Sequence, residues 1–210
     1  MAAAMSGTLL VGGCSKGPNT YGPPEMAGTL SEVSVFAERY AGYWQGAGAG
    51  PIKISRVVAL GSDEEYRCEA VAGSVVKMRS DTIAAICVNA GLVATGDIVL
   101  GNDGLSAFNA ESERLGFAPK TANEFTVAHE IAHLVQMASG FFKNNTNSAD
   151  YERQADCLAG KSVASVNPSL VGAAMGYYTS HMDNSIGAKT HGPWVLRGKA
   201  FVKGATGGTC

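Results

Sequence analysis

Nowhere in the 210-residue chain do roughly 18 apolar residues run together, so no transmembrane helix is expected. A basic field is missing too. The 16 Lys and Arg against 18 Asp and Glu leave a formal net charge of −2, which argues against nucleic acid or an anionic membrane surface as partner. Of the five cysteines, Cys14, Cys68, Cys87, Cys157 and Cys210, no two have the short spacing of a zinc knuckle, so a structural zinc built from thiolates is not expected. No segment repeats. Histidine is scarce, with four in all, and no Lys or Arg precedes Lys16.

With 46% apolar and 16% charged residues, the chain reads as one ordinary globular domain, long enough to bury a core. Met1 to Val11 is small, apolar and uncharged. Val11-Gly12-Gly13-Cys14 then has the form of a bacterial lipoprotein cleavage box, although the positive n-region of a secretory leader is missing. Residues 1–14 are therefore expected to be a lipoprotein signal peptide, with Cys14 the lipidated residue. Residues 15–28 are expected to be a Pro- and Gly-rich linker, and 29–210 a single domain. This places the protein at the cell envelope, lipid-anchored and outside the cytoplasm. The alternative is a cytoplasmic protein with an apolar N-terminus. The remaining four cysteines fit an oxidising compartment. Cys68 and Cys87 flank a hairpin and are the first choice for a disulfide, while Cys157 is expected to be a buried free thiol.

Two of the four histidines stand in Val127-Ala128-His129-Glu130-Ile131-Ala132-His133. Residues four apart on a helix share a face, so His129 and His133 can offer two imidazoles to one metal ion. Glu130 is placed to act on a water beside it. The local sequence predicts a helix: Thr121-Ala122-Asn123-Glu124 has the capping-box form. Phe125, Ile131, Leu134, Val135 and Ala138 supply apolar positions, and Gly140 is a natural stop. A second helix, capped by Ser148, carries Glu152 and Asp156 four apart on one face. Ala155, Ala159 and Gly160 leave room for close packing on the first helix. Glu152 is then the candidate third metal ligand, and Asp156 the acceptor for the second N–H of a liganding histidine. The alternative is a solvated acidic face with Glu152–Arg153 pairs.

Elsewhere Thr29-Leu30-Ser31-Glu32 predicts a helix over 31–45, with Val33, Phe36, Ala37, Tyr40 and Trp44 in the core. Strands are expected at Ile52–Leu60, Thr82–Val88 and Asp97–Leu100, and a helix over Leu105–Leu115. Asn167-Pro168 opens a helix reaching about Ser180, with Met175, Tyr177 and Tyr178 as core. His181 is expected at the surface. Gly192-Pro193 opens a last helix to about residue 203, and residues 204–209 read as a loose tail.

His129-Glu130-Ile131-Ala132-His133-Leu134-Val135-Gln136, followed by Gln154-Ala155-Asp156-Cys157-Leu158-Ala159-Gly160, resembles the neutral zinc metallopeptidase family of bacterial envelope proteins, a gluzincin type. Thr190-His191-Gly192 with Arg197 resembles that family's third segment, and also the His-Pro segment of the membrane-embedded CAAX-type and heat-shock zinc proteases. The chain departs at Ala132, where the family usually has Gly, and at Lys161-Ser162, where it has an aromatic residue. The resemblance covers about residues 82 to 204. It implies an α+β, zincin-like fold, with a small mixed sheet packed on two zinc-site helices and further C-terminal helices. It also implies peptidase activity on a peptide or protein substrate.

Zn²⁺ held by His129, His133 and Glu152, with Glu130 as general base and His191 as oxyanion donor, is the expected chemistry. Arg197 is expected to support the site by pairing with Asp156. The competing expectation is an inactive zinc-fold lipoprotein that acts as a binding or scaffold protein. A non-peptidase zinc hydrolase is a third. Oligomeric state is not readable.

Overall fold

A computed structural model describes residues 19–69, 75–89, 93–141, 148–180 and 191–210. In chain order the elements are β1 (Asn19–Tyr21), a 3-10 turn (Pro24–Met26), α1 (Ala27–Gly46), β2 (Ile52–Leu60), β3 (Glu65–Glu69), β4 (Val75–Arg79), β5 (Ala84–Asn89), β6 (Ala94–Gly101), α2 (Asn102–Arg114), α3 (Pro119–Ala138), α4 (Ser148–Val166), α5 (Leu170–Ser180) and α6 (Trp194–Ala205). The class is α+β. One mixed sheet has the order β1-β2-β6-β5, with β1, β2 and β6 parallel and β5 antiparallel to β6 at the edge. β3 and β4 form a separate antiparallel hairpin.

Alternation explains how the sheet is dressed. In β2, Ile52, Ile54 and Val57 are buried while Lys53 and Arg56 point outward, with a register shift between Ile54 and Arg56. β6 is buried along almost its whole length because both its faces are covered. On one face lies the main core, where Val33, Phe36 and Tyr40 of α1 and Ile131 and Leu134 of α3 join Val57 and Ile98 of the sheet. On the other, Leu60, Cys68, Met78, Cys87 and Val99 form a smaller apolar cluster under the hairpin. The Cys68–Cys87 disulfide fastens β3 to β5 there, with Cα atoms 5.5 Å apart.

Several expectations are corrected. Residues 19–21 are not linker: they add a parallel strand to β2, pairing with Arg56–Val58. α1 begins at Ala27, so the Thr29–Glu32 pattern lies inside the helix and no side chain caps it. α3 likewise begins at Pro119, whose fixed φ suits a first turn, and Thr121 makes no cap bond. Glu124 does not reach back, because tertiary donors take it. It accepts from Tyr40 Oη at 3.1 Å, Arg39 Nη1 at 3.2 Å and Asn167 Nδ2 at 3.0 Å. Met175 and Ala138 are exposed, not core. Cys157 is not a free thiol but is bonded to Cys210. That bond ties down the tail expected to be loose.

Gly140 does end α3. It takes a φ of +73°, where a side chain would be strained, and its N–H donates to Met137 O at 3.1 Å. Two other glycines set a helix crossing. A Cβ at Gly160 of α4 would collide with the Phe201 carbonyl, and one at Gly204 of α6 with the Cys157 carbonyl. α4 and α6 therefore meet backbone to backbone, which carries Arg197 of α6 over Asp156 of α4.

Candidate metal centre

His129 and His133 project from adjacent turns of α3, with ring centroids 4.8 Å apart. Glu152 reaches in from α4. Its Oε2 lies 3.1 Å from His129 Nε2, and its Oε1 lies 3.7 Å from His133 Nε2. One ligand atom from each of the three residues falls within 4.8 Å of the others. All three side chains are largely shielded, at 9%, 16% and 14% exposed for His129, His133 and Glu152. Two imidazole nitrogens and a carboxylate oxygen converging in this way can bind a metal ion. Arg153 pairs with Asp150, not with Glu152, which leaves Glu152 to the histidines.

A second layer holds these donors. His129 Nδ1 stands 2.9 Å from Asp156 Oδ1, within hydrogen-bond distance though off its best angle. Asp156 is completely buried. It accepts from Arg197 Nε at 2.7 Å and Nη2 at 2.9 Å, and from the Tyr178 hydroxyl. Arg197 Nη2 also lies 3.6 Å from Glu152 Oε2, and its guanidinium stacks on Trp194 at 4.9 Å. His133 Nδ1 is 2.8 Å from Gln136 Oε1. Each histidine thus has its Nδ1 beside an acceptor and its Nε2 turned toward Glu152.

The charges are strongly coupled. Burial alone would lower the pKa of His129, but the facing Asp156 and Glu152 outweigh it and raise it to about 10. Burial works against Glu152 as an anion, yet His129, with His133 and His191 beyond, holds it well below the usual carboxylate range. Asp156 is likewise lowered against its burial, chiefly by Arg197 and His129. Without a metal, these contacts favour ionised Glu152 and Asp156 facing a protonated His129.

Glu130 is 8% exposed and follows His129 on α3; it has no hydrogen-bond or ion-pair partner among the described residues. His191 lies at the rim, 47% exposed, with Nε2 4.0 Å from Glu152 Oε1. Cys14, His181 and Thr190 lie outside the described residues.

Two site residues were missed in the sequence. Gln136 follows His133 by three residues, and that spacing on one helix face was a readable signal. Tyr178 is fully buried among Phe125, Trp194 and Phe201, so its classification as core is correct. Only the fold reveals that its hydroxyl reaches Asp156.

No protein family, curated protein or solved structure matches this chain. Among the described residues no helix is long and apolar enough to cross a membrane. Hollows of about 430 and 460 Å³ lie against β1, and no residue of the centre lines them.

Proposed function

We propose that the chain is a zinc-dependent peptidase of gluzincin type with a zincin-like fold, acting at the cell envelope. The observation that carries this reading is the convergence of His129, His133 and Glu152 beside Glu130. Two neutral nitrogens and one carboxylate suit Zn²⁺, and three protein ligands leave a position open, as catalytic sites do. When bound, the ion supplies Lewis acidity, polarising a carbonyl and making a water molecule more acidic.

The protein's own groups do the rest. Glu130 takes the proton of the attacking water and later delivers it to the leaving amine. His191, at the rim, donates an N–H to the oxygen that gains charge in the transition state; one such donor is worth about 3 kcal/mol. Asp156, held by Arg197 and Tyr178, keeps His129 turned toward the centre. β5 is the antiparallel edge of the sheet and packs beside α3. Its outer row of backbone groups suits an extended peptide pairing as an added strand. Two disulfides favour an extracytoplasmic location, with Cys14 as the proposed lipid attachment point.

Elemental analysis of the purified protein tests the centre. One zinc per chain is expected, and none in the His129→Ala/His133→Ala double variant. Full zinc in that variant would remove these residues from the site.

A further inference from the structure

Gln136 makes three contacts from a fully buried position on α3. Its Nε2 donates to the Tyr151 carbonyl at 2.8 Å and to Gln154 Oε1 at 3.0 Å, both on α4. Its Oε1 lies 2.8 Å from His133 Nδ1. These contacts leave one consistent assignment of hydrogens. A backbone carbonyl can only accept, so the amide nitrogen must be the end that faces Tyr151. The amide oxygen then faces His133, and since it too can only accept, Nδ1 must carry a hydrogen. In neutral His133 the lone pair therefore sits on Nε2, the nitrogen turned toward Glu152.

We infer that Gln136 is a positioning residue that fixes the ligating tautomer and ring orientation of His133. At the same time it ties the helix bearing His129 and His133 to the helix bearing Glu152. The inference rests on the metal-site reading above and extends it to a side chain that touches neither metal nor substrate. The two histidines are held by different means. Asp156 faces His129 with a charge, whereas Gln136 faces His133 with a neutral dipole whose direction is set by its anchors on α4. The geometry of one ligand thus depends on the docking of α3 against α4.

The test compares Gln136→Met, close in shape without the amide, with Gln136→Glu, which keeps an oxygen toward His133 and loses the amide donor. Three quantities are measured on the full chain: zinc affinity by chelator competition, melting of the metal-free protein, and the His133 Nδ1–H signal in nitrogen-edited NMR of the metal-free protein. Gln136→Met is expected to lose the Nδ1–H signal and about 10- to 100-fold in zinc affinity. Gln136→Glu is expected to keep the signal and bind zinc close to the parent value, even if it melts lower. If Gln136 only braced the two helices, both variants would melt lower and neither would change zinc affinity, which overturns the inference. Equal losses of affinity in both variants also overturn it, because the oxygen toward His133 would then not matter. A parent without the Nδ1–H signal overturns the hydrogen assignment. A parent that binds no zinc overturns the inference together with the reading it rests on. Should Gln136→Met fail to fold, Gln136→Leu takes its place, with the same losses of signal and affinity expected and an unchanged zinc affinity overturning the inference.

Discussion

Glu152 is the anionic donor of the centre and also the point where its charges meet, with His129, His133, His191 and Arg197 all within 4.0 Å. Replacing it tests the ligand set differently from replacing His191. Glu152→Gln substitutes a weaker neutral oxygen, so zinc affinity and peptide cleavage should fall together. His191→Phe should leave zinc bound and lower turnover with little change in KM, since its donor acts only in the transition state. Chelator competition beside steady-state kinetics separates the two. A Glu152→Gln protein that binds zinc like the parent removes Glu152 from the ligands. His129 adds a pH dependence. Its pKa is raised to about 10, so across neutral pH the metal-free residue carries a proton. A protonated imidazole cannot ligate, so that proton must leave when metal binds. Zinc affinity should therefore rise about tenfold per pH unit up to that pKa, with a proton released on binding. Affinity that stays flat between about pH 6 and 8, corrected for the buffer's own metal binding, would contradict the proton on His129.

Among the elements, α4 and α6 carry the centre's second layer, and their contact is set by Gly160 and Gly204. Gly204→Ala puts a methyl against the Cys157 carbonyl, where only backbone could give way. A loss of about 1–3 kcal/mol is expected in denaturant melts, together with weaker zinc binding as Arg197 shifts off Asp156. A variant as stable as the parent would mean the helices do not touch there. The elements themselves were largely legible. Apolar alternation marked β2, and helical spacing of Val33, Phe36, Ala37, Tyr40 and Trp44 marked α1, because burial in these segments repeats with the local period. The candidate metal-binding group was legible for a related reason: His129 and His133, like Glu152 and Asp156, are paired within single helices. What was not legible depends on partners far along the chain. β1 exists because it pairs with β2, more than 30 residues on. The apparent capping boxes failed because Pro119 starts α3 by itself and distant donors claim Glu124. Cys157 looked unpaired because its partner, Cys210, is 53 residues away.

At the scale of the molecule, the mixed sheet presents an antiparallel edge at β5 beside the helix that bears the histidines. One disulfide ties the hairpin to β5, and the other ties the C-terminal tail to α4. In the proposed reading the reaction occurs where edge and centre meet, and Glu130 separates a peptidase from a zinc-bearing scaffold. It is not a ligand in this account, so Glu130→Gln should retain zinc and fold. The deciding measurement is cleavage of a broad peptide library by the zinc-loaded parent and by zinc-loaded Glu130→Gln. The parent is expected to hydrolyse peptides, and the variant to be slower by roughly a hundredfold or more with its zinc still in place. A zinc-loaded parent that cleaves nothing, or a Glu130→Gln protein that cleaves as fast as the parent, would contradict the account.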